Sequence, residues 1–235
     1  MSALMRFWRS TIGKKVVMAI TGIIGIGFVI GHMAGNLQMF KGNGEDTMYH
    51  YAMLLRISMP LLYTVRAVLI LSVILHAIAA YQLTQMAKAA RPVNYVQRKP
   101  QVTTLAAKTM RWGGVLLLTF IILHILQLTL GVSLLLPGYV HLDPYNNLRR
   151  AFSNPLWVAF YLLAMAALAL HLYHGGWAVV RTLGVSRPST APLKRKLSLV
   201  IAIVVAIGFA VIPIAAALGA FQEMPAAVLT AGETH

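Results

Sequence analysis

Five long stretches of nearly uninterrupted apolar residues divide the chain, and each one predicts a helix. Each stretch exceeds the roughly 20 residues that an α-helix needs to cross a hydrocarbon core of about 30 Å. The stretches occupy residues of about 16–39, 61–87, 112–136, 155–180 and 197–221. The pattern predicts an all-α membrane protein in which five transmembrane helices form one bundle, with a single transmembrane domain over residues 1–235.

Composition agrees with this prediction and limits the possible chemistry. Of the 235 residues, 59% are hydrophobic and 11% are charged, which is too apolar for an ordinary soluble domain. The first apolar run is too long for the h-region of a signal peptide, so we expect it to remain as the first membrane helix. Cysteine is absent, which excludes disulfides, thiolate metal sites, iron–sulfur ligation and covalent c-type haem attachment. Histidine is therefore the expected metal ligand.

Charge predicts the orientation in the membrane. The net charge is +15, and most lysines and arginines precede the first span or lie in the segments 88–111 and 181–196. The opposite segments hold all five acids, which are Glu45, Asp46, Asp143, Glu223 and Glu233. The positive-inside rule then places the N-terminus in the cytoplasm and the C-terminus outside. Because this rule explains the basic runs, no nucleic-acid partner is expected. The segment 88–111, which Pro92 and Pro100 interrupt, is interpreted as a docking or lipid-facing surface.

Histidines inside the spans are the candidate chemistry, because a polar ring in hydrocarbon costs free energy unless something binds it. Counting about 1.5 Å per residue from each helix entrance puts His32 and His124 in the outer half of the membrane. The same count puts His76 and His171 in the inner half. The four rings therefore sort into two cross-helix pairs at two depths, an arrangement that fits two stacked bis-histidine b-type haems.

Other interpretations of these histidines stay open at this point. Each ring could instead bond a neighbouring helix or serve a proton path. His174 competes with His171 for one iron, since the two lie about 60° apart on their helix, but smaller residues surround His171. In span one, Gly27, Gly31 and Gly35 are interpreted as a small-residue stripe for close packing.

Further polar residues near the spans are candidates for cofactor and quinone binding. Arg66, near the outer end of span two, could pair with a haem propionate or simply extend to the interface. The outer loop 40–60 is either a solvated connector or part of an interfacial quinone site. Its candidate quinone residues are Tyr49, His50 and Arg56, and those of an alternative inner site are Ser10, Lys14 and Arg111. His141 is assigned to water, and span five, with a kink expected at Pro213, to scaffold.

Several short patterns, taken in order, resemble one protein family. They are T-G-x9-H-M-x2-N at 21–36, His76 followed by Tyr81 and Gln82, the histidine of span three, and H-x3-G-x-W at 171–177. This chain is similar to the membrane-anchor cytochrome b subunits of succinate dehydrogenases and fumarate reductases, of the single-chain, five-helix, diheme kind. One departure is that the residues at 168–170 are Leu-Ala-Leu, whereas some quinol-oxidising relatives carry a carboxylate there.

The resemblance implies cofactors, ligands and partners. His32 with His124 would bind the haem distal to the cytoplasm, and His76 with His171 the proximal one. The chain would be a subunit of respiratory complex II in a bacterial cytoplasmic (inner) membrane, with no succinate site of its own. It would relay electrons from a flavoprotein and an iron–sulfur subunit through two haem b groups to menaquinone.

Two alternatives differ from this reading. The cytochrome b of a membrane hydrogenase or formate dehydrogenase also holds two haems with histidines, although five spans and a ligand on the first helix argue against it. A transporter with a histidine proton relay belongs to another class, and inverted repeats, which would support it, are not evident.

Overall fold

A computed structural model describes residues 2–41, 44–90 and 104–224, in which all regular structure is helical. The helices are α1 (Ala3–Arg9), α2 (Thr11–Asn36), α3 (Gly44–Leu54), α4 (Met59–Ala89), α5 (Leu105–His124), α6 (Pro144–Phe152), α7 (Pro155–Thr182) and α8 (Ala191–Ala217). A 3₁₀ turn, Leu37–Phe40, extends α2, and a π-helical turn, Ile125–Thr129, extends α5. The predicted break at Pro92 and Pro100 lies outside the described residues.

Five of these helices are long and apolar enough to cross a membrane, which confirms the predicted multi-pass architecture. The candidate spans are Thr11–Phe40, Met59–Ala89, Leu105–Thr129, Pro155–Thr182 and Ala191–Ala217. Many of their large apolar side chains are exposed on the chain by itself, as on helices that face lipid.

The bounds of predicted spans three and five differ from those of the helices. Span three begins at Leu105 and ends at Thr129, short of residue 136, because Gly131 adopts a φ of +62° and the ring of Tyr139 packs against it. Span five begins at Ala191 and ends at Ala217. Its basic first turns belong to the helix because lysine and arginine are good helix formers. The helix continues through Pro213 without interruption.

Polar side chains at the helix starts satisfy backbone N–H groups that have no partner within the helix. The side chains of Ser10, Thr104, Asp143 and Asn154 each accept a hydrogen bond from the first turn of the helix that follows. These caps fix where α2, α5, α6 and α7 begin.

The helices α2 and α7 form the middle of the bundle. Close backbone packing joins α2 to α4, α7 and α8, and it joins α7 to α5 and α8. Among the described helices, α2 does not pack extensively against α5, and α4 does not pack extensively against α7. The two helices of each such pair therefore face one another across a gap that side chains bridge.

The predicted outer loop 137–154 contains a buried helix, α6, which the apolar pattern did not predict. Its Tyr145 and Phe152 join Met39 and Tyr161 in an apolar cluster at this end of the bundle. The segment lacks a long apolar run, but its Asp-Pro start is a helix N-terminal signal. His141 is exposed, as predicted.

The other predicted outer loop, 40–60, likewise contains a helix, α3. The side chain of Tyr51 on α3 covers Gly35, where an added Cβ would lie 2.5 Å from two ring atoms and the hydroxyl oxygen. Gly27 and Gly31 have no atom within 4 Å of an added Cβ. Of the three glycines in the predicted close-packing stripe on α2, only Gly35 therefore lies against another described element.

Candidate functional site

The structure brings His32 of α2 and His124 of α5 together. Their ring centroids lie 5.9 Å apart with the planes at 82°. Phe28 stacks on His32 at 5.2 Å, and Phe120 stacks on His124 at 5.5 Å. This pair therefore lies in an apolar, aromatic environment.

A second contact joins His76 of α4 to His171 of α7. These ring centroids lie 6.1 Å apart, with the planes at 50°. The hydroxyl of Thr21, on α2, lies 3.0 Å from Nδ1 of His76. His171, rather than His174, makes the ring contact with His76, which favours His171 of the two.

The two pairs lie at different levels of the bundle. Thr21, which contacts one pair, and His32, which belongs to the other, are 11 residues apart on α2, or about 16 Å of helix axis. On α7, Tyr161 contacts His124 and lies 10 residues before His171, or about 15 Å. The side-chain contacts thus match the pairing expected from depth, while iron binding by these rings stays a prediction.

Hydrogen bonds indicate which nitrogen of His76 is available to bind a metal. The hydroxyl of Thr21 has one hydrogen, which it donates to the carbonyl of Val17 at 2.7 Å. Its oxygen is then the acceptor toward His76, so Nδ1 of His76 carries the proton and donates. Nε2 of this ring keeps its lone pair, as a metal ligand requires.

The spacing of both pairs fits two axial ligands of one iron. Two imidazoles bound on opposite sides of a metal, with metal–nitrogen bonds of about 2.0–2.1 Å, have centroids about 6 Å apart. The observed 5.9 and 6.1 Å match that separation. In the described residues, no group of three or more histidines, cysteines or acids is placed to hold a metal ion, so each candidate site offers two protein ligands.

Three glycines on helices that carry these histidines have open space at the Cβ position. An added Cβ on Gly25 of α2, Gly113 of α5 or Gly175 of α7 would meet no atom within 4 Å. A cavity of about 290 Å³ between α5 and α7 is lined by His171, Gly113 and Ala167 among others. Its walls are mostly apolar, as expected for the faces of a porphyrin.

Arg66 is not brought into contact with either histidine pair. It is exposed on α4, with its guanidinium 6.0 Å from the ring centroid of Tyr63. It lies 10 residues before His76 on α4, or about 15 Å along the helix axis. That distance puts Arg66 at the level of the pair formed by His32 and His124. Its proposed propionate contact stays a prediction.

The outer quinone candidates lie on α3 and in the turn that follows it. Tyr49 lies beside His50, whose exposed ring is 3.1 Å from a carboxylate oxygen of Asp46. Arg56 donates to the carbonyl of Ala52 at 2.8 Å. Burial raises the pKa of Tyr139, and the charge of the nearby Arg56 opposes that rise. These contacts place Arg56 near Tyr139, and the quinone assignments stay predictions.

Two of the three inner quinone candidates have structural partners. Ser10 caps α2 by accepting from the N–H of Gly13 at 2.9 Å. Lys14 is 4% exposed, and its ammonium donates to the carbonyl of Trp8. Arg111 is exposed near the start of α5.

Tyr161, Gln127 and Thr21 were not predicted as parts of the site, although Thr21 begins the T-G-x9-H-M-x2-N pattern. Tyr161 contacts His124, and Gln127, on the face of His124, contacts Tyr161. A glutamine three residues after a membrane histidine was the available signal, because an unpaired amide is costly in hydrocarbon.

Comparisons with protein-family models, curated proteins and solved structures find no match for this chain.

Proposed function

We propose that this chain is the membrane-anchor cytochrome b subunit of succinate:menaquinone oxidoreductase, respiratory complex II. The observation that carries the proposal is the pair of ring contacts, His32 with His124 and His76 with His171. Each contact has the centroid spacing of two axial ligands, and each joins helices whose backbones do not pack closely. Two ligands per site suit a macrocycle that fills the remaining positions on the iron.

In this proposal, His32 and His124 hold one haem b, and His76 and His171 hold the other. Bound haem supplies one-electron transfer through its iron. The chain itself binds the two groups, orients its imidazoles through hydrogen bonds and keeps water away with apolar helices. The open space at glycines on the histidine-bearing helices would accommodate the porphyrin faces.

The charge distribution supports an orientation with the N-terminus in the cytoplasm and the C-terminus outside. The membrane in this proposal is the inner membrane of a bacterium, as the family resemblance implies. The basic cytoplasmic segments would then meet the iron–sulfur subunit, which the flavoprotein subunit supplies with electrons. The enzyme activity belongs to the assembled complex, and menaquinone is the acceptor. Succinate binds elsewhere in the complex.

Haem content tests the ligand assignment. The complex, purified from membranes through a tag on this chain, should show a b-type band on dithionite reduction and two haems per chain. His76→Ala and His171→Ala should each leave about one haem, because the pair at the other level is intact. His174→Ala and His141→Ala are matched controls and should retain two.

Two results would contradict the assignment. Absence of a b-type band in the purified wild type would remove every cytochrome interpretation. Loss of haem from His174→Ala, with full content in His171→Ala, would show that the wrong ring was chosen.

A second experiment tests the partners. A flavoprotein and an iron–sulfur protein should copurify with the tagged chain, and succinate should reduce the haems. Copurification of a hydrogenase or formate dehydrogenase subunit, with reduction by hydrogen or formate instead, would identify the alternative cytochrome.

A further inference from the structure

A chain of hydrogen bonds leads from His124 through two buried side chains to the backbone. His124 Nδ1 lies 3.2 Å from the hydroxyl of Tyr161, whose oxygen lies 2.9 Å from Oε1 of Gln127. The amide nitrogen of Gln127 donates to the carbonyl of Leu135 at 3.3 Å. Gln127 is fully buried and Tyr161 is 6% exposed, so water does not compete for these groups.

The donor and acceptor of every hydrogen bond in this series follow from its last member, the carbonyl of Leu135. The carbonyl of Leu135 can only accept, so it faces the NH₂ group of Gln127 and leaves Oε1 toward Tyr161. Oε1 can only accept as well, so the hydroxyl of Tyr161 donates to it. The oxygen of Tyr161 is then the acceptor toward His124, and Nδ1 of His124 donates.

We propose that Tyr161 and Gln127 are positioning residues that fix the protonated nitrogen and the orientation of His124, and thereby tune the haem that His124 binds. This inference rests on the proposed function. A proton held on Nδ1 leaves the Nε2 lone pair for the iron, and the hydrogen bond increases the basicity of the ring. Increased donation stabilises ferric iron and lowers the midpoint potential of that haem.

Local backbone geometry supports this role. The π-helical turn at Ile125–Thr129 begins directly after His124 and contains Gln127. Such turns are rare and frequently occur at functional sites. Here the turn directs Gln127 into the bundle, where its amide meets both Tyr161 and Leu135.

In the other pair, His76 also has a hydrogen-bond partner at Nδ1, but the partner is a single side chain, Thr21. Thr21 accepts from Nδ1 of His76 and donates to the backbone carbonyl of Val17. Nδ1 of His171 is buried without a hydrogen-bond partner. Thr21 therefore provides a matched comparison, since its removal should affect only the haem of His76 and His171.

The experiment is a redox titration of the purified complex, with optical and electron paramagnetic resonance spectra, for Tyr161→Phe, Gln127→Met and Thr21→Val. Tyr161→Phe should raise the midpoint potential of one haem and leave the other unchanged. The shifted component should be the one that disappears in His124→Ala. Thr21→Val should shift the opposite component. Loss of such outer partners typically weakens metal binding about 10–100-fold, so the affected haem should also dissociate faster.

Gln127→Met separates positioning from packing, because among the hydrogen bonds of the described residues Gln127 reaches His124 through Tyr161. We expect it to shift the same haem as Tyr161→Phe, and it is the second variant if Tyr161→Phe does not accumulate. The unshifted haem reports that the bundle is folded. The inference is overturned if neither haem shifts, or if both shift equally in each variant. Retention of both haems in His124→Ala would instead refute the ligand assignment, a failure of the proposed function that this control identifies separately.

Discussion

Gly35 provides a test of how α3 is held against the end of α2. An added Cβ at this position would lie 2.5 Å from ring atoms of Tyr51, a separation that requires the ring or the helix to move. Overpacking of this kind costs about 1–3 kcal/mol. The matched substitution Gly31→Ala, one turn earlier on the same helix, meets no atom within 4 Å.

Both substitutions replace glycine by the best helix former, a gain of up to about 1 kcal/mol. Because the gain is common to both, the difference between the variants reports the clash with Tyr51. A difference of 1–3 kcal/mol corresponds to roughly 2–12 °C in Tm for a chain of this size. Gly31→Ala should unfold at or above the wild-type temperature, and Gly35→Ala well below Gly31→Ala.

Thermal unfolding of the detergent-purified protein, followed by tryptophan fluorescence, measures this difference. The double variant Gly35→Ala/Tyr51→Ala should be no less stable than Tyr51→Ala alone, since the clash is then absent. Equal Tm values for Gly35→Ala and Gly31→Ala would refute the packing of Tyr51 on Gly35.

Three further predictions concern other parts of the structure. Asn146→Ala removes side-chain hydrogen bonds to the carboxylate of Asp143 and to the backbone of Met224. It should lower the free energy of unfolding by about 2–3 kcal/mol, measured by thermal unfolding. Two arginines lower the pKa of Glu223, so its contribution is present above its unfolded pKa and is lost as the pH falls through its folded pKa. The difference in Tm between wild type and Glu223→Gln should accordingly shrink on acidification, and a difference that grows would contradict this sign. Under the proposed function, Gly175→Leu fills the open space on its helix and should reduce haem content from two per chain to one, whereas Gly27→Leu, on an exposed face, should leave two.

The five spans were predictable because each is an apolar run longer than a membrane is thick. Their packing partners were not, since residues that face lipid and residues that face the bundle are equally apolar. The stripe at Gly27 and Gly31 shows this, because spacing alone could not indicate that open space lies beside those positions.

The histidine pairing was predictable because depth follows from residue counts along rigid helices. The helix α6 was missed because its buried surface depends on Asp143, Asn146 and Asn147, which look like loop residues until their partners are known. Tyr161 was missed for a related reason. A tyrosine in an apolar span is ordinary, and only the fold brings it to His124.

The two central helices each serve both levels of the bundle. On α2, His32 belongs to one pair, while Thr21 contacts His76 of the other pair. On α7, His171 belongs to one pair, while Tyr161 contacts His124 of the other pair. A small rigid rotation of α2 or α7 would therefore disturb both histidine pairs at once, whereas α4 and α5 each contribute a ring to only one pair. Mechanical coupling between the two histidine pairs is thus built into the packing of α2 and α7, and substitutions far from any histidine can affect both pairs if they tilt either helix.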